Sequence, residues 1–463
     1  MIRGMGRPLV VLAFFGLAPF LGGAQTFERL FAFSSAAAPD GELIQASDGA
    51  FYGTCRGGGS FSSGKVFKLI LPSSVVTFAS FANTNGSSPR AGLVQTTDGN
   101  LYGTTDGGGT YPNGAPTPYG AVVRLTTNGV LTALFSFNAN LDNNGLYPDC
   151  QLIQATDGYL YGTTFNGGSA AQQGSVFRIS TNGNYTKLYA FAGPDGADPY
   201  AGLIQARDGN LYGTASSGGV KSGGGTSSRG TVFRMTTNGA LTTLLSFNGT
   251  NGSNPYSGLF EGNDGRLYGT TYYGGAQSSG TVFAITTNGI LTTLYSFTSN
   301  FSGAFPNGQL PFGRVIQAND GSFYGTTSAG GAYSSGTVFR LTTNGVLTTL
   351  ISFVSTNGTT PRAGLVKGSD GNLYGTTLGG GTGNGTIFRI VMPGPPLLKS
   401  ERIGNELRLS WPTNADGFHL QTTTNLTTPA IWSDSLDTPA TSGAEFVVTN
   451  TPTEDELFYR LKK

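Results

Sequence analysis

Three long loops of the sequence carry residue types that could bind a ligand or perform acid–base chemistry. They are loops 106–119, 138–151 and 216–229, and they contain Asp106, Tyr111, Tyr119, Asp142, Tyr147, Asp149, Lys221 and Arg229. Tyrosines beside polar groups suit a glycan or a peptide, whereas two carboxylates about 5–10 Å apart would suit glycoside hydrolysis. Surface loops also lengthen at little cost in free energy, so these insertions could equally carry no function.

Other kinds of chemistry find little support in this sequence. The only histidine, His419, lies far along the chain from these loops, which excludes a His-based triad or a His metal cluster there. Glycine runs such as 107–109 lack the Lys-Ser/Thr of a phosphate-binding loop. The repeated Asp-Gly pairs lack the Asp-x-Asp-x-Asp-Gly pattern of a calcium loop. No cofactor and no metal site are predicted.

The elements that must position these loops are repeats. The stretch Asp98-Gly-Asn-Leu-Tyr-Gly-Thr-Thr105 recurs with small changes, and the other copies begin at Asp48, Asp157, Asp208, Asp264, Asp320 and Asp370. The copies are spaced by roughly 50 to 60 residues, a period that indicates a propeller or a solenoid. The tyrosine of each copy is expected to pack between neighbouring units, because a buried aromatic ring covers a large area.

Each repeat contains four short apolar segments rich in β-branched and aromatic residues, which are typical of strands. Asp-Gly joins the first two segments and Asn-Gly the last two, and both residues of such a pair are expected to take positive φ in a tight hairpin. The unit is therefore a four-stranded antiparallel meander. In this arrangement, the loops after Tyr-Gly-Thr and the links between units lie on the face opposite the Asp-Gly turns.

The ends of the repeat array predict a closed ring. The last unit has only three strand segments before the prolines that follow residue 392, and the missing segment lies at residues 30–33 near the other end. Three strands from one end and one from the other would complete the last unit and hide both edges. The sequence thus predicts an all-β, seven-bladed β-propeller over residues 25–392, with a different blade phase or an open array as the alternative.

The repeat also has a recognisable relative. The run Gly-Leu-Ile-Gln-Ala-x-Asp-Gly-Asn-Leu-Tyr-Gly-Thr-Thr, followed by Gly-Thr-Val-Phe-Arg-Leu-Thr-Thr-Asn-Gly, resembles the bacterial tandem repeat called GloVer, over about residues 41–391. Local departures are Cys55, Val123 and Ala284, which replace Thr, Phe and Arg of the pattern. The resemblance implies a secreted or surface protein, and it supplies no catalytic residue.

The composition changes after a Pro-rich linker at residues 393–398. Residues 399–463 contain both tryptophans and His419, and their strand-like runs predict a small antiparallel β-sandwich. This segment is loosely similar to a fibronectin type III module. The repeat region, by contrast, contains Cys55 and Cys150 in non-adjacent units, so no disulfide is expected between them.

Bulk properties limit the partners and the location. The 463 residues include 26 Lys and Arg against 25 Asp and Glu, without the basic stripe that a nucleic-acid partner would need. Arg3, Arg7, the apolar run 9–21 and the small residues 22–24 have the pattern of a signal peptide at residues 1–24. No later segment is long and apolar enough to span a bilayer. A monomer at the cell surface or outside the cell is expected, with the periplasm as an alternative.

These observations lead to a function hypothesis with two alternatives. The first is an exported, non-catalytic module that binds a glycan or a cell-surface protein through the long loops. The second is a carbohydrate-active enzyme, a glycosidase or a lyase, that uses acidic loop residues. The third is a structural envelope protein. A cleft that holds at least two loop carboxylates, one of them with a raised pKa, would favour the enzyme.

Overall fold

The computed structural model describes residues 25–34, 37–111, 113–115, 117–138, 144–221, 225, 228–393, 398–404, 406–412, 418–424, 431–443, 445–450 and 458–462. The predicted signal peptide, Asp142 and most of the predicted linker lie outside them. The chain divides into two compact units, of which one is Phe27–Ile390 and the other contains the residues from Val391 onwards. The predicted domain boundaries stay predictions, as do the signal peptide and the linker.

The unit Phe27–Ile390, which we call the repeat unit, is built of seven sheets whose strands follow one another along the chain. It begins with strand β1 (Thr26–Ala32). Sheet 1 follows as β2 (Ile44–Gln45), β3 (Phe51–Cys55), β4 (Lys65–Ile70) and β5 (Ser74–Ser80). Sheet 2 contains β6 (Val94–Gln95), β7 (Leu101–Thr105), β8 (Ala121–Leu125) and β9 (Leu131–Ser136). Sheet 3 contains β10 (Ile153–Gln154), β11 (Leu160–Thr164), β12 (Ser175–Ile179) and β13 (Tyr185–Ala190).

The next sheets repeat the same plan. Sheet 4 contains β14 (Ile204–Gln205), β15 (Leu211–Ala215), β16 (Thr231–Met235) and β17 (Leu241–Ser246). Sheet 5 contains β18 (Phe260–Glu261), β19 (Leu267–Thr271), β20 (Thr281–Ile285) and β21 (Leu291–Ser296). Sheet 6 contains β22 (Ile316–Gln317), β23 (Phe323–Thr327), β24 (Thr337–Leu341) and β25 (Leu347–Ser352). Sheet 7 contains β26 (Val366–Lys367), β27 (Leu373–Thr377) and β28 (Thr386–Val391).

The prediction of an all-β chain is confirmed for the part that the structure describes. Consecutive strands of each sheet pair antiparallel, as in the register that places Tyr102 opposite Arg124. Sheet 7 is completed by β1, which lies beside β28 in the strand order β1-β28-β27-β26. The N-terminal strand therefore supplies the fourth strand of the last sheet, because the chain ends its repeats without one.

The turn between the first two strands differs from the predicted geometry. In sheet 1, the Ala46 amide donates to the Ala50 carbonyl and the Gly49 amide donates back to Ala46, both at 2.9 Å. Positive φ falls on Gly49, at 80°, and not on Asp48. The prediction that both residues have positive φ is wrong, since a type I turn followed by a left-handed glycine needs only one such residue. The Asp48 side chain instead accepts hydrogen bonds from the Ala50 amide and the Tyr52 hydroxyl.

The links between sheets lie against the loops that follow the second strands. Bridges join Ser87 to Gly107, Ala197 to Ser217 and Thr359 to Gly379. Each link also ends in a proline that packs on a glycine of the preceding sheet. An added Cβ at Gly64 would lie 2.5 Å from Pro89 Cδ, and one at Gly385 of sheet 7 would lie 2.6 Å from Pro39 Cδ of the link into sheet 1. These contacts confirm that the links and the second-strand loops share a face.

Side-chain hydrogen bonds join neighbouring sheets at the Asp-Gly turns, on the face opposite the links. The Ser47 amide donates to Gln95 Oε1 at 2.8 Å, and the Thr156 amide donates to Gln205 Oε1 at 2.8 Å. The Ser369 amide of sheet 7 donates to Gln45 Oε1 of sheet 1 at 2.7 Å. The last sheet is thereby joined to the first by the same contact that joins its neighbours.

The core of the repeat unit lies between neighbouring sheets. The repeated tyrosines are buried there, and their rings meet aromatic rings of the next sheet, as Tyr268 does with Phe323 at a centroid distance of 4.0 Å. Each hydroxyl donates to the aspartate of its own turn, for example Tyr102 to Asp98 Oδ2 at 2.7 Å. The predicted position of these tyrosines between units is confirmed.

The second unit contains two small sheets. The four-stranded sheet has the order β29-β30-β34-β33 and the three-stranded sheet the order β32-β31-β35. Their strands are β29 (Lys399–Ile403), β30 (Glu406–Pro412), β31 (His419–Thr423), β32 (Ser433–Asp434), β33 (Ala440–Ser442), β34 (Glu445–Asn450) and β35 (Phe458–Lys462). Leu409 and Trp411 of one sheet share a buried cluster with Leu420 and Tyr459 of the other. The likeness to fibronectin type III stays a prediction.

The described residues contain no helix that is both long enough and apolar enough to cross a membrane.

Candidate functional site

Seven residues that occupy the same position in the repeat meet in one place. Each follows the proline that ends a link, and together we call them the post-proline cluster: Asp40, Arg90, Asp149, Tyr200, Tyr256, Phe312 and Arg362. The links hold them rigidly, because each proline is packed against a glycine of the preceding sheet. The residue type at this position changes from sheet to sheet, although the surrounding backbone repeats.

Contacts connect the post-proline cluster from sheet 1 to sheet 7. The Arg362 guanidinium lies 5.5 Å from the Phe312 ring, and the Phe312 and Tyr256 rings are stacked at 5.4 Å. Tyr200 contacts both of these rings at 5.6 Å. Asp40 is close enough to Arg90 and Arg362 for both cations to act on its pKa. Residues that are far apart in the sequence thus form one surface.

One half of this surface holds a pair of carboxyl groups bound to an arginine. Arg90 Nη2 lies 3.2 Å from Asp106 Oδ2, and Arg90 Nε lies 3.9 Å from Asp149 Oδ1. Asp149 and Asp106 thus contact the same guanidinium group, and the two carboxyl groups are close enough for Asp106 to act on the pKa of Asp149. The Asp149 side chain is only 7% exposed, and its Oδ1 accepts no hydrogen bond within the described chain. Asp106 reaches the pair from the loop that follows β7, and Asp149 from the link into sheet 3.

The pKa of Asp149 is raised by its surroundings. Burial is the main reason why it is raised to about 8, and the nearby charge of Asp106 raises it further. Arg90 lowers it, but by less than these two effects. A carboxyl group with such a pKa keeps its proton at neutral pH and can donate it.

The pKa values of two neighbouring side chains, Asp40 and Tyr200, are also raised. Burial raises the pKa of Asp40, against the lowering effect of Arg56, whose Nη1 lies 3.6 Å from Asp40 Oδ2. Burial and the charges of Asp149 and Asp40 raise the pKa of Tyr200 to about 12, so its hydroxyl stays protonated. Arg90 is close enough to Tyr200 for each to act on the pKa of the other, which places the carboxyl pair near the aromatic residues.

The other half of the surface is aromatic. Tyr272, from the loop after β19, lies edge-on to Tyr256 at 5.4 Å and to Phe312 at 5.8 Å. Phe165, from the loop after β11, lies edge-on to Tyr200 at 6.2 Å. All five rings are only partly buried, so they present faces and edges to solvent. Such a surface can stack against the apolar face of a ring-shaped ligand.

The residues two positions after the members of the post-proline cluster include polar side chains that contact neighbouring links. Arg314 Nε donates to Glu42 Oε2 at 2.9 Å, which joins the links into sheets 6 and 1. Gln151 Nε2 donates to the Leu93 carbonyl at 3.1 Å. Gly364 lies against this ion pair, and an added Cβ there would lie 2.8 Å from Glu42 Oε2. A side chain at this position would have to displace the Glu42 carboxylate.

A cavity of about 450 Å³ opens beside the carboxyl pair. Arg56 and Arg90 line it together with Ser88, Leu378 and Asn384. Its walls come from the links into sheets 1 and 2 and from loops of sheets 1 and 7. The two guanidinium groups are the charged groups of its described lining.

The structure brings together four of the eight predicted site residues. Asp106 and Asp149 form the carboxyl pair. The Tyr119 and Tyr147 rings are packed edge-on at 5.8 Å, and the charge of Asp106 contributes to the raised pKa of Tyr147 after burial and Tyr119. Asp142 lies outside the described residues.

The other three predicted residues have their described contacts elsewhere. The Tyr111 amide donates to Ala115 inside its own loop, and the Lys221 amide donates to Gly225. The Arg229 carbonyl accepts from the Asn254 amide in the link into sheet 5. Loop length alone therefore does not separate the residues that meet from those that do not, because part of a long loop can fold back on itself.

Sequence reasoning missed Arg56, Arg90, Asp40 and the aromatic half of the site. A usable signal is the residue after each link proline, which is charged in sheets 1, 2, 3 and 7 and aromatic in sheets 4, 5 and 6. The repeat makes these positions equivalent, so each sheet presents its residue at the same place in its link. No group of three or more His, Cys, Asp or Glu in the described part of the chain is arranged to hold a metal ion.

Comparison with known proteins gives one clear family and distant structural relatives. The Gloeobacter/Verrucomicrobia repeat matches residues 14–115, 39–224, 108–314 and 219–396. No curated protein matches the sequence. A putative 6-phosphogluconolactonase from Bacteroides fragilis is 16% identical, with a TM-score of 0.44 over 90% of this chain and 99% of its own. The periplasmic gluconolactonase PpgL from Pseudomonas aeruginosa is 16% identical, with a TM-score of 0.44 over 73% of this chain and 97% of its own.

The expectation of a non-catalytic module that binds glycans or proteins is corrected by these comparisons. Both solved structures named above are described as lactonases, and neither is a binding module. The family match, in contrast, agrees with the resemblance seen in the sequence. The four matched segments together span most of the chain, and this protein belongs to the family built from the Gloeobacter/Verrucomicrobia repeat.

Proposed function

We propose that the protein is a hydrolase that cleaves an ester or a lactone at the carboxyl pair Asp106–Asp149. The observation that carries this proposal is the contact of both carboxyl groups with one guanidinium, that of Arg90, which also lines an open cavity. Two neighbouring carboxyl groups, one protonated and one ionised, provide an acid and a base in one place. Water attack on a carbonyl needs both.

The reaction follows from the roles of these groups. Asp106 takes a proton from a water molecule as that water attacks the carbonyl carbon, while Asp149 donates its proton to the carbonyl oxygen. The tetrahedral intermediate collapses when Asp106 returns its proton to the leaving oxygen and the new hydroxyl returns a proton to Asp149. The products are an acid and an alcohol, and both carboxyl groups regain their starting states. Arg90 holds Asp106 in position through the contact at 3.2 Å.

The spacing of the carboxyl groups favours carbonyl chemistry over glycoside hydrolysis. Retaining glycosidases hold their carboxyl groups about 5–5.5 Å apart and inverting ones about 6.5–9.5 Å apart, which leaves room for the sugar or for a water. Asp106 and Asp149 instead contact the same Arg90 guanidinium, at 3.2 and 3.9 Å, which holds the two carboxyl groups close together. The carboxyl pair instead has the arrangement that activates a water beside a protonated acid.

The aromatic half of the post-proline cluster supports a ring-shaped substrate. Tyr200, Tyr256 and Phe312 lie next to the carboxyl pair, and Tyr200 is connected to it through Arg90. A sugar ring presents apolar C–H faces to such a surface and hydroxyl groups at its edges. We therefore propose a sugar-derived lactone or ester as the substrate.

The proposal also includes the architecture that builds the site. The seven repeat sheets are arranged as the blades of a closed propeller, and the site lies at the mouth of its central channel. The Pro39–Gly385 packing and the Ser369–Gln45 hydrogen bond, which join the last sheet to the first, support this arrangement. The Glu42–Arg314 pair lies deeper along the same links and would close the channel below the site. Export of the protein stays a prediction from residues 1–24.

The test uses two simple probes, p-nitrophenyl acetate as an ester and D-glucono-δ-lactone as a sugar lactone. Residues 25–463 are expected to accelerate hydrolysis of at least one probe, and Asp149→Asn and Asp106→Asn are each expected to lower kcat by about 100-fold or more. Asp370→Asn, at a turn on the opposite face, is the matched control. Wild-type rates at the level of the buffer, or equal rates in all three variants, would contradict the proposal.

A further inference from the structure

The cavity beside the carboxyl pair is lined by cations whose anionic partners lie behind them. Arg56 and Arg90 reach into the cavity, and their side chains are 33% and 32% exposed. Their partners Asp40 and Asp149 are only 5% and 7% exposed. A ligand in the cavity would therefore meet two guanidinium groups before it met a carboxylate.

The guanidinium groups keep hydrogen-bond donors for a ligand. Arg90 Nε is buried and faces Asp149 Oδ1 at 3.9 Å, and Arg56 approaches Asp40 only to 3.6 Å. Both side chains remain about one-third exposed, so their outer N–H groups can donate to an acceptor in the cavity. Arginine forks bind carboxylate and phosphate groups in this manner.

The repeat places two arginines together only at this junction. The position of Arg56 is occupied in the other sheets by Asp106, Phe165, Ser216, Tyr272, Ser328 and Leu378. The position of Arg90 holds another arginine only at Arg362, which also acts on Asp40. Two guanidinium groups thus line the cavity, and a third acts on the pKa of Asp40 beside it. Ser88 and Asn384 add neutral donors to the cavity wall.

We infer that this cavity is an anion subsite and that the substrate carries a carboxylate or a phosphate group, held by Arg56 and Arg90. The inference rests on the proposed function, because it places the anionic group next to the carboxyl pair that would cleave the substrate. The aromatic half would then hold the ring, and the subsite would fix which end of the molecule faces Asp106 and Asp149. Carboxylate and phosphate share the required chemistry, and the experiment distinguishes them.

Binding of the anion is measured separately from hydrolysis. Inorganic phosphate and D-gluconate are titrated into residues 25–463 by isothermal calorimetry, without any substrate. Wild type is expected to bind at least one of them, and Arg56→Gln to weaken that binding by about 10- to 100-fold, because a charge-assisted fork is lost. Arg56→Lys, which keeps the charge but not the fork, is expected to give an intermediate loss. The anion that binds more tightly identifies the group.

The matched control is Arg207→Gln, which removes an arginine that is 60% exposed and paired with Glu261 near the opposite turns. It is expected to bind the anions as wild type does. Equal binding by wild type and Arg56→Gln, or no binding of either anion to wild type, would overturn the subsite. Hydrolysis of the neutral probes together with absent anion binding would overturn the subsite alone, whereas anion binding without any hydrolysis would overturn the proposed function and leave a bare anion site.

Discussion

At the scale of single residues, the chemistry of this protein depends on what surrounds each carboxyl group. Asp98 sits at a turn, accepts hydrogen bonds from Tyr102 and from the Asn100 amide, and these outweigh burial to lower its pKa to about 2. Asp149 is buried beside a second carboxyl group, and its pKa is raised to about 8. The same residue type is thus ionised in one setting and protonated in the other at neutral pH.

The raised pKa of Asp149 predicts a stability that falls with pH. Between about pH 4 and pH 8, the folded state keeps a proton that the unfolded chain has already released, so the free energy of unfolding decreases as pH rises through this window. The change is at most about 1.4 kcal/mol for each pH unit. Asp149→Asn removes this titration, and its stability relative to wild type is expected to improve from pH 5 to pH 8. Urea unfolding at both pH values measures the difference.

A difference that is independent of pH would contradict the protonated state of Asp149. Asp370→Asn serves as the control, because Asp370 lies at a turn away from the carboxyl pair. The Asn372 amide donates a hydrogen bond to Asp370 Oδ1, and the side-chain oxygen of asparagine can accept the same bond.

At the scale of the structural elements, the turns and links depend on a few glycines and on the tyrosine hydroxyls. Gly120 has a φ of 93°, and a Cβ there would lie 2.2 Å from the Thr105 carbonyl oxygen and 2.6 Å from Pro148 Cδ. Gly99 has a similar φ of 81° but nothing within 4 Å of an added Cβ. Alanine substitutions at Gly120 and Gly99 therefore separate the cost of a steric clash from the cost of backbone strain.

Gly120→Ala is expected to destabilise the repeat unit by about 3–5 kcal/mol, because strain and overpacking add. Gly99→Ala is expected to cost only about 1–2 kcal/mol, because it carries the strain alone. Thermal or urea unfolding of the two variants provides the comparison. Equal losses of stability in the two variants would show that the link containing Pro148 does not pack closely on Gly120.

The turn hydrogen bonds lead to a second prediction at this scale. Tyr102→Phe removes the hydroxyl that donates to Asp98 Oδ2 at 2.7 Å and is expected to cost about 1 kcal/mol at pH 7, since the exposed carboxylate is partly screened. The lowered pKa of Asp98 means that its contribution is present above about pH 4 and is lost as pH falls towards 2.

The loss caused by Tyr102→Phe should therefore shrink when the pH of the unfolding measurement is lowered from 7 to 2. The exposed Tyr333, at 62% accessibility, provides a control in Tyr333→Phe, which should have no effect at either pH. A loss that stayed constant with pH would show that Asp98 is not the partner that matters.

At the scale of the whole molecule, the repeat unit depends on contacts between its two ends. Strand β1 lies beside β28, and Phe27 packs against Phe388 and Phe353 at 5.7 and 5.9 Å. Without β1, the edge of β28 and two aromatic rings would meet solvent. Such an edge is a template for pairing with another chain.

A chain that begins at Ser34 is expected to aggregate or to unfold at a lower temperature than a chain that begins at Thr26. Size-exclusion chromatography with light scattering, together with thermal unfolding, measures both effects. A synthetic peptide of residues 25–34 added to the shortened chain is expected to restore part of the stability by strand addition. A shortened chain that stays monomeric and equally stable would show that β1 is not needed to complete the last sheet.

The sequence by itself determined the repeating elements of this protein. The Asp-Gly-x-Leu-Tyr-Gly-Thr copies and the apolar segments predicted four-stranded units, because hairpins depend on residues close in the chain. The use of an N-terminal strand to complete the last unit was predicted from the strand segments present at the two ends of the repeats. It also predicted that Asp106 and Asp149 lie on the same face as the links. The turn geometry was predicted wrongly, since Asp-Gly fits more than one kind of hairpin.

Only the tertiary structure decided which residues meet. Arg90 contacts Asp106 in its own sheet and Asp149 in the link into the next, and the charge of Arg362 acts on the pKa of Asp40 although more than three hundred residues separate them. The sequence singled out Asp106 and Asp149 by the length of their loops, but Arg90 and Arg56 lie in segments of ordinary length and were missed. The physical reason is that an ion pair or a pKa shift depends on distances of a few ångströms between sheets, and these are set by the packing of the sheets against one another.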